Sequence, residues 1–186
     1  MKITSVRAST HNVPVKVPLL DKPIDRPLVF VQVETDDGVT GYGLTGGVQR
    51  TAVKEFVNQE LAPFLKGRNP LETEAIMGET IRVHNPRTQT GVFSSSMSAV
   101  DIALWDIKGK HYGEPVWRLL GGAKKKVPAY VTFGLLEYDK EQLVEVARSF
   151  VREGQDKLKM VSRSTALRTR GGSLPSERRS VLASSS

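Results

Sequence analysis

The chain has 186 residues, of which 39% are hydrophobic, 25% charged and 6% aromatic, and it contains no cysteine. This composition is typical of one large globular domain or two small ones, and it excludes disulfide frameworks and cysteine-based metal or thiol chemistry. No apolar run approaches the roughly 20 residues that span a bilayer, and the first ten residues lack the apolar core of a signal peptide, so we expect a soluble, cytoplasmic protein. The net charge of +7 suggests a nucleic-acid partner. Five arginines against one glutamate in residues 161–186 supply more than half of that charge, which weakens the suggestion.

The first segment, residues 2–17, alternates and is rich in β-branched residues, which predicts a strand. Pro14 and Pro18 are expected to end it, because proline cannot donate to a sheet ladder. Residues 18–27 follow as a loop that three prolines keep extended.

Two further strand-like runs, residues 28–35 and 39–44, flank the sequence Asp36-Asp37-Gly38. An Asp-Gly turn between such runs indicates a β-hairpin. The first part of the chain is therefore predicted to form three antiparallel strands.

Helical periodicity begins at residue 48. Residues 48–65 carry one apolar stripe, and residues 71–83 have the acidic first turn that suits a helix dipole. The third helix, residues 93–112, is apolar on nearly all sides between residues 99 and 107, which is typical of a buried helix.

After a basic linker at residues 124–126 the pattern changes to strand, helix, strand. The strands are predicted at residues 127–133 and 156–161, with an amphipathic helix over residues 139–153. This order is that of a βαβ unit, which implies two parallel strands.

The last segment, residues 162–186, contains eight serines and five arginines but no lysine, and it shows no sustained period. A disordered basic tail has this composition. An out-of-frame translation would also look like this, and we favour that interpretation because basic-residue usage changes abruptly here.

Gly41, Gly43 and Gly46 match a GxGxxG spacing, but they lie in an antiparallel hairpin, so we interpret them as turn and strand backbone. The three histidines, at residues 11, 84 and 111, have no metal-ligand spacing and are interpreted as surface or structural residues.

Lys157 and Lys159 are spaced so that both ammonium groups project from one face of a strand. On a barrel interior, desolvation and like-charge repulsion lower lysine pKa values, which allows an amine to act as a general base near neutral pH. On an exposed strand the same spacing gives only a solvated edge.

The order of elements, together with the segment SAVDIALWDIKGKHYGEPVWRLLGG at residues 98–122, resembles the enolase superfamily and its mandelate racemase and muconate lactonizing enzyme branch. The resemblance implies an α+β capping domain over residues 1–125, followed by the first βαβ unit of an incomplete (β/α)-barrel over residues 126–161. Residues 162–186 have no counterpart in it. A complete barrel takes about 250 residues, so we interpret the chain as a truncated member of the branch.

In this superfamily a base removes the proton α to a substrate carboxylate, and Mg²⁺ held by three acidic residues stabilises the resulting enediolate. By resemblance, Lys159 is the general base on the second barrel strand, and Lys157 tunes it and contacts the carboxylate. Asp21 and Arg26 lie on a loop that closes over the substrate in the family. These two residues and Thr132, near the end of the first barrel strand, are candidate substrate contacts.

The family carries its metal ligands on the third to fifth barrel strands, so we expect neither Mg²⁺ binding nor turnover by this chain alone. The resemblance implies an acid-sugar dehydratase, a racemase or a cycloisomerase that acts on a small carboxylate and forms homo-oligomers, without a membrane or nucleic-acid partner. Two other functions stay open. One is a non-catalytic interaction module, and the other is a weak nucleic-acid binder that acts through the basic tail.

Overall fold

Three antiparallel strands occupy the first part of the computed structural model, which describes residues 1–84, 90–135 and 138–161. They are β1 (Ile3–Val15), β2 (Ile24–Thr35) and β3 (Thr40–Gly46), in the spatial order β1-β2-β3. The predicted meander is confirmed. The basic tail at residues 162–186 lies outside the described residues, and so do the hypotheses that depend on it.

The hairpin of β1 and β2 is longer than expected. The prolines at residues 23 and 27 were expected to keep residues 18–27 in a loop, but β2 already begins at Ile24 and pairs there with Val15. The connecting loop is therefore residues 16–23, and Arg26 lies on the strand opposite Val13.

Pro14 lies within β1 and does not end it. The backbone N–H of Ala8 donates to Asn58 Oδ1 at 2.7 Å, so the even-numbered positions of β1 face away from β2. Pro14 occupies one of these outward positions, opposite Asp25. Its missing N–H therefore costs no ladder hydrogen bond, which is the condition under which an edge strand accepts proline.

Helical segments follow the sheet, and the predicted helix at residues 48–65 is divided. Asn58 lies in a π-helical turn, and its side-chain amide turns toward β1. Pro63 cannot donate to the carbonyl of Gln59, which is a sufficient cause for an irregular turn there. The segments are α1 (Arg50–Phe56), the π-helical turn (Val57–Leu61), α2 (Ala62–Leu65), α3 (Thr73–His84), α4 (Gly91–Tyr112) and α5 (Val116–Leu119).

The core of this part lies between the sheet and α4. Val29, Val31 and Val33 of β2 are fully buried, and α4 contributes the predicted apolar run. A Cβ on Gly43 would lie 1.9 Å from the Ala99 carbonyl oxygen. Glycine is required on β3 because the backbone of α4 lies directly against it. The interpretation of Gly43 as strand backbone is thus explained by its packing against α4.

The chain divides into two compact units, residues 1–128 and 129–186. In the second unit, β4 (Val131–Phe133) and β5 (Leu158–Met160) pair in parallel, and α6 (Lys140–Arg152) lies between them in sequence. The predicted strand at 127–133 is shorter than expected, because only three of its residues pair with β5.

Helix α6 begins with a capping box. The Asp139 carboxylate accepts from the Gln142 backbone at 2.7 Å, and the Gln142 side chain accepts from the Asp139 backbone at 3.0 Å. The Phe150 ring of α6 contacts the ring of Phe133 on β4 edge to face, with centroids 6.0 Å apart. None of the helices in the described part of the chain is long and apolar enough to cross a membrane.

Candidate functional site

The parallel strands of the second unit bring two of the predicted site residues together. Thr132 on β4 is the register partner of Lys159 on β5. Both side chains are exposed, whereas Val131 and Phe133 on the other face of β4 are half-buried. Thr132 and Lys159 therefore share the face opposite to the one that contacts α6.

Lys157 lies one residue before β5. Its carbonyl oxygen accepts a hydrogen bond of 2.9 Å from the Val131 N–H, so its backbone continues the ladder. Its ammonium group lies 2.9 Å from Asp156 Oδ2, and this hydrogen bond and charge hold the pKa of Asp156 below its usual range. Asp156 was not among the predicted site residues, although an adjacent Asp-Lys pair is a signal for such a contact.

Lys159 has a different neighbour. Its ammonium group lies 5.6 Å from the centre of the Tyr130 ring, within the range of a cation–π contact. Tyr130 precedes β4 and was not among the predicted site residues. The two lysines are thus held by different partners, one carboxylate and one aromatic ring.

The ends of the two strands are fixed close together. The Val161 N–H donates to the Phe133 carbonyl at 2.7 Å, and a Cβ on Gly134 would lie 2.6 Å from the Val161 carbonyl oxygen. Gly134 also has a φ of +99°, so glycine is favoured there on both counts. Thr132 and Lys159 lie beside this carboxyl-terminal end, which is the end where barrel enzymes carry their active sites.

Asp21 and Arg26 belong to the first unit. Asp21 is exposed in the loop at residues 16–23, where Leu19 has a positive φ of 61°. Arg26 is exposed on β2. Their role as substrate contacts stays a prediction.

The segment at residues 98–122 contains Asp106, whose side chain connects α4 to the edge strand β3 by hydrogen bonds. Asp106 Oδ2 accepts from the Tyr42 N–H at 2.9 Å and from Lys110 Nζ at 2.6 Å. Lys110 also donates to the Thr40 carbonyl at 2.7 Å. These contacts occupy the backbone groups of an edge strand, so this part of the segment has a structural role.

The described residues do not provide the donor set that Mg²⁺ prefers. Residues 1–84, 90–135 and 138–161 contain no cluster of three or more His, Asp or Glu side chains able to hold a metal. The ring contacts of two histidines agree with their interpretation as surface or structural residues. His84 packs against the rings of Phe56 and Phe64, and His11 lies against Phe30.

The family model for the mandelate racemase/muconate lactonizing enzyme N-terminal domain matches residues 2–121 of this sequence. The chain belongs to this family. Its three-stranded sheet and helices are the capping domain of the enolase superfamily, as expected from residues 98–122.

Relatives of the mandelate racemase/muconate lactonizing enzyme family catalyse several reactions. D-galactarolactone cycloisomerase from Agrobacterium fabrum is 38% identical over 145 residues, which cover 71% of this chain and 35% of that protein. N-succinyl-L-Arg/Lys racemase from Bacillus cereus is 31% identical over 173 residues, covering 86% and 44%. Other relatives are dehydratases of sugar acids, among them arabinonate dehydratase. The chain therefore spans less than half the length of these curated relatives.

A solved structure agrees with the fold. The mandelate racemase/muconate lactonizing protein from Paracoccus denitrificans PD1222, complexed with magnesium, matches with a TM-score of 0.70 at 28% identity. The match covers 86% of this chain and 41% of that one. Magnesium is thus a metal of the family.

Proposed function

We propose that this chain supplies the proton-transfer residues of an enzyme that removes the proton α to the carboxylate of a small organic acid. The observation that supports it best is the register pairing of Thr132 with Lys159 at the carboxyl-terminal end of β4 and β5. Dehydratases, racemases and cycloisomerases occur among the relatives, and their reactions support the proposed chemistry.

Lys159 is the proposed general base. A neutral amine accepts the α proton, and the resulting ammonium can return a proton to a product. Lys157 is proposed to contact the substrate carboxylate. To do so, its ammonium group must leave the Asp156 carboxylate. The Thr132 hydroxyl, beside Lys159, is suited to donate a hydrogen bond to the same carboxylate.

Asp21 and Arg26 are proposed to bind the part of the substrate that is distant from the reacting carbon. The Arg26 guanidinium can donate two parallel hydrogen bonds to a second carboxylate, and the Asp21 carboxylate can accept from hydroxyl groups. A sugar diacid presents both kinds of group, and a sugar monoacid presents the hydroxyl groups. We therefore propose an acid sugar as the substrate class.

Exchange of the α proton with solvent tests the proposal directly. A chimera in which residues 1–161 replace the aligned segment of D-galactarolactone cycloisomerase is assayed in D₂O with Mg²⁺, and the C2–H signals of aldonic and aldaric acids are followed by proton NMR. We expect Lys159→Met to lower the exchange rate by about 10²- to 10⁴-fold, the contribution of a positioned acid–base group. The 186-residue chain alone is expected to give no exchange.

Lys140→Met is the matched control, because it removes an exposed lysine at the start of α6. Circular dichroism of each variant verifies folding. A folded chimera whose exchange rate is unchanged by Lys159→Met contradicts the role of Lys159. Exchange by the isolated 186-residue chain contradicts the expected dependence on further residues.

A further inference from the structure

The hairpin of β1 and β2 extends beyond the end of β3. The last register pair between β2 and β3 joins Leu28 to Gly46, whereas β1 and β2 stay paired as far as Val15 and Ile24. We call residues 12–27, which lie beyond that end, the arm. No side chain of the arm is buried. A two-stranded hairpin is marginally stable by itself in water, so within the described residues the direction of the arm depends on contacts at its base.

The turn between β3 and α1 contacts both strands of the arm at this base. On β2, Pro27 lies against Gly47, where a Cβ would come within 2.5 Å of the Pro27 carbonyl oxygen. On β1, Asn12 Oδ1 accepts a hydrogen bond of 2.6 Å from Arg50 Nη1. Asn12 and Pro27 are register partners and form the first pair beyond the end of β3. The turn therefore holds both strands of the arm at the same level.

The backbone of this turn is itself constrained. Gln49 has a φ of 56°, in the left-handed region that residues other than glycine seldom adopt. Arg50 follows it as the first residue of α1, and Val53 of that helix is fully buried. The guanidinium of Arg50 is thus carried by a helix that is packed into the core, while its partner Asn12 lies on the arm.

We propose that Arg50 is a positioning residue for substrate selection, which holds the arm so that Asp21 and Arg26 occupy a fixed place. Both of these side chains lie on the arm, beyond its base. The inference rests on the proposed function, in which they bind the substrate. An anchor at the base restricts the arm before the substrate arrives, so less conformational entropy is lost on binding.

Amide hydrogen exchange of the 186-residue chain tests the anchor without any substrate. We expect Arg50→Leu to speed exchange within the paired strands of the arm about two- to tenfold, the range expected for one net hydrogen bond. Residues 29–33, which pair with strands on both sides, should exchange as in the parent, so local loosening is separated from global unfolding. Asn12→Asp keeps the acceptor oxygen and should leave the arm protected, whereas Asn12→Leu should match Arg50→Leu.

Gly47→Ala tests the contact on the other strand. The added Cβ would come within 2.5 Å of the Pro27 carbonyl oxygen, so the arm must move and its amides should also exchange faster. Arg7→Leu is the matched control, because it removes an exposed arginine from β1 at a position outside the arm that is paired with Gln32. It should leave arm exchange unchanged.

The chimera that carries residues 1–161 tests the consequence for the substrate. Arg50→Leu should raise the KM for α-proton exchange of an acid sugar about two- to tenfold and leave kcat nearly unchanged, because the substitution affects binding and not Lys159. Asn12→Asp should keep the parent KM, and Arg7→Leu should change neither constant.

Arm exchange that is not accelerated by Arg50→Leu overturns the proposal. Faster arm exchange with an unchanged KM, or a lower kcat without a higher KM, overturns the role in substrate selection. A parent chimera without α-proton exchange instead contradicts the proposed function, and the arm exchange of the 186-residue chain then still decides whether Arg50 holds the arm.

Discussion

The two units of this chain differ in how much apolar surface they bury. In the first unit the sheet is covered by the long helix α4, and its core contains fully buried side chains from β1, β2 and the helical segments. The described part of the second unit has two strands of three residues each, and its buried apolar side chains are Tyr138 and Val146. Stability is therefore concentrated in the first unit, whereas the proposed proton-transfer residues lie in the second.

Disruption of the close contact between β3 and α4 should destabilise the protein most. Gly43→Val places a side chain where even a Cβ would lie 1.9 Å from the Ala99 carbonyl oxygen. Helix α4 would have to move away from the sheet, so we expect a loss of more than about 3 kcal/mol in the free energy of unfolding. Urea denaturation followed by tryptophan fluorescence measures it, because Trp105 and Trp117 both lie in the first unit.

Gly46→Val is the control for this prediction. Among the described residues, apart from its two chain neighbours, none has an atom within 4 Å of a Cβ built on Gly46. It should unfold close to the parent midpoint. Equal stability of the Gly43 and Gly46 variants would show that α4 does not require the close approach.

A cavity in the core is expected to have a different effect on unfolding in each of the two units. Leu104→Ala empties a site in the core of the first unit and is expected to cost about 2–5 kcal/mol. Val146→Ala should lower the helical signal of α6 and leave the tryptophan transition in place, because Val146 belongs to the second unit. A shift of the tryptophan transition by Val146→Ala would show that the two units unfold together.

Asn58 protects the outer edge of β1. Its side-chain amide accepts from the Ala8 N–H at 2.7 Å and donates to the Ala8 carbonyl at 3.1 Å. Asn58→Leu leaves both backbone groups without these partners, with an expected cost of about 1–3 kcal/mol. Thr10→Leu is the control at an exposed position of the same strand, and equal midpoints for the two variants in urea would contradict the role of Asn58.

The capping box of α6 has a smaller, local effect. Asp139→Ala removes the side chain that accepts from the Gln142 N–H, so we expect a loss of about 1 kcal/mol in helix stability. Hydrogen exchange of the α6 amides measures it. Lys140→Ala, which leaves the cap intact, should change exchange less than Asp139→Ala does, and the reverse order would contradict the prediction.

Periodicity predicted the three strands, the buried helix α4 and the parallel pair of the second unit, because these features depend on local alternation and apolar spacing. It failed at Pro14, since the direction of each N–H depends on where the strand lies in the sheet. The site was predicted in part. The roles of Thr132 and Lys159 stay predictions, and the structure adds that the two residues are register partners on β4 and β5. Tyr130 was missed because its contact with Lys159 depends on the pairing of two strands that are distant in sequence. Asp156 was missed although it is adjacent to Lys157 in the sequence.

The smallest expected effects are opposite pH dependences at two carboxylates of the first unit. Burial raises the pKa of Asp101, so its contribution to stability is present below its ordinary value of 3.8 and is lost as pH rises through the folded value. The hydrogen bond from Arg68 lowers the pKa of Glu79, so its contribution is present above the ordinary value and is lost on acidification. Asp101→Asn should therefore raise the melting temperature at neutral pH and lose this advantage in acid. Glu79→Gln should lower the melting temperature at neutral pH and approach the parent in acid. Both are measured by calorimetry at concentrations where the chain is monomeric, and parallel pH profiles for the two variants would contradict the assigned environments.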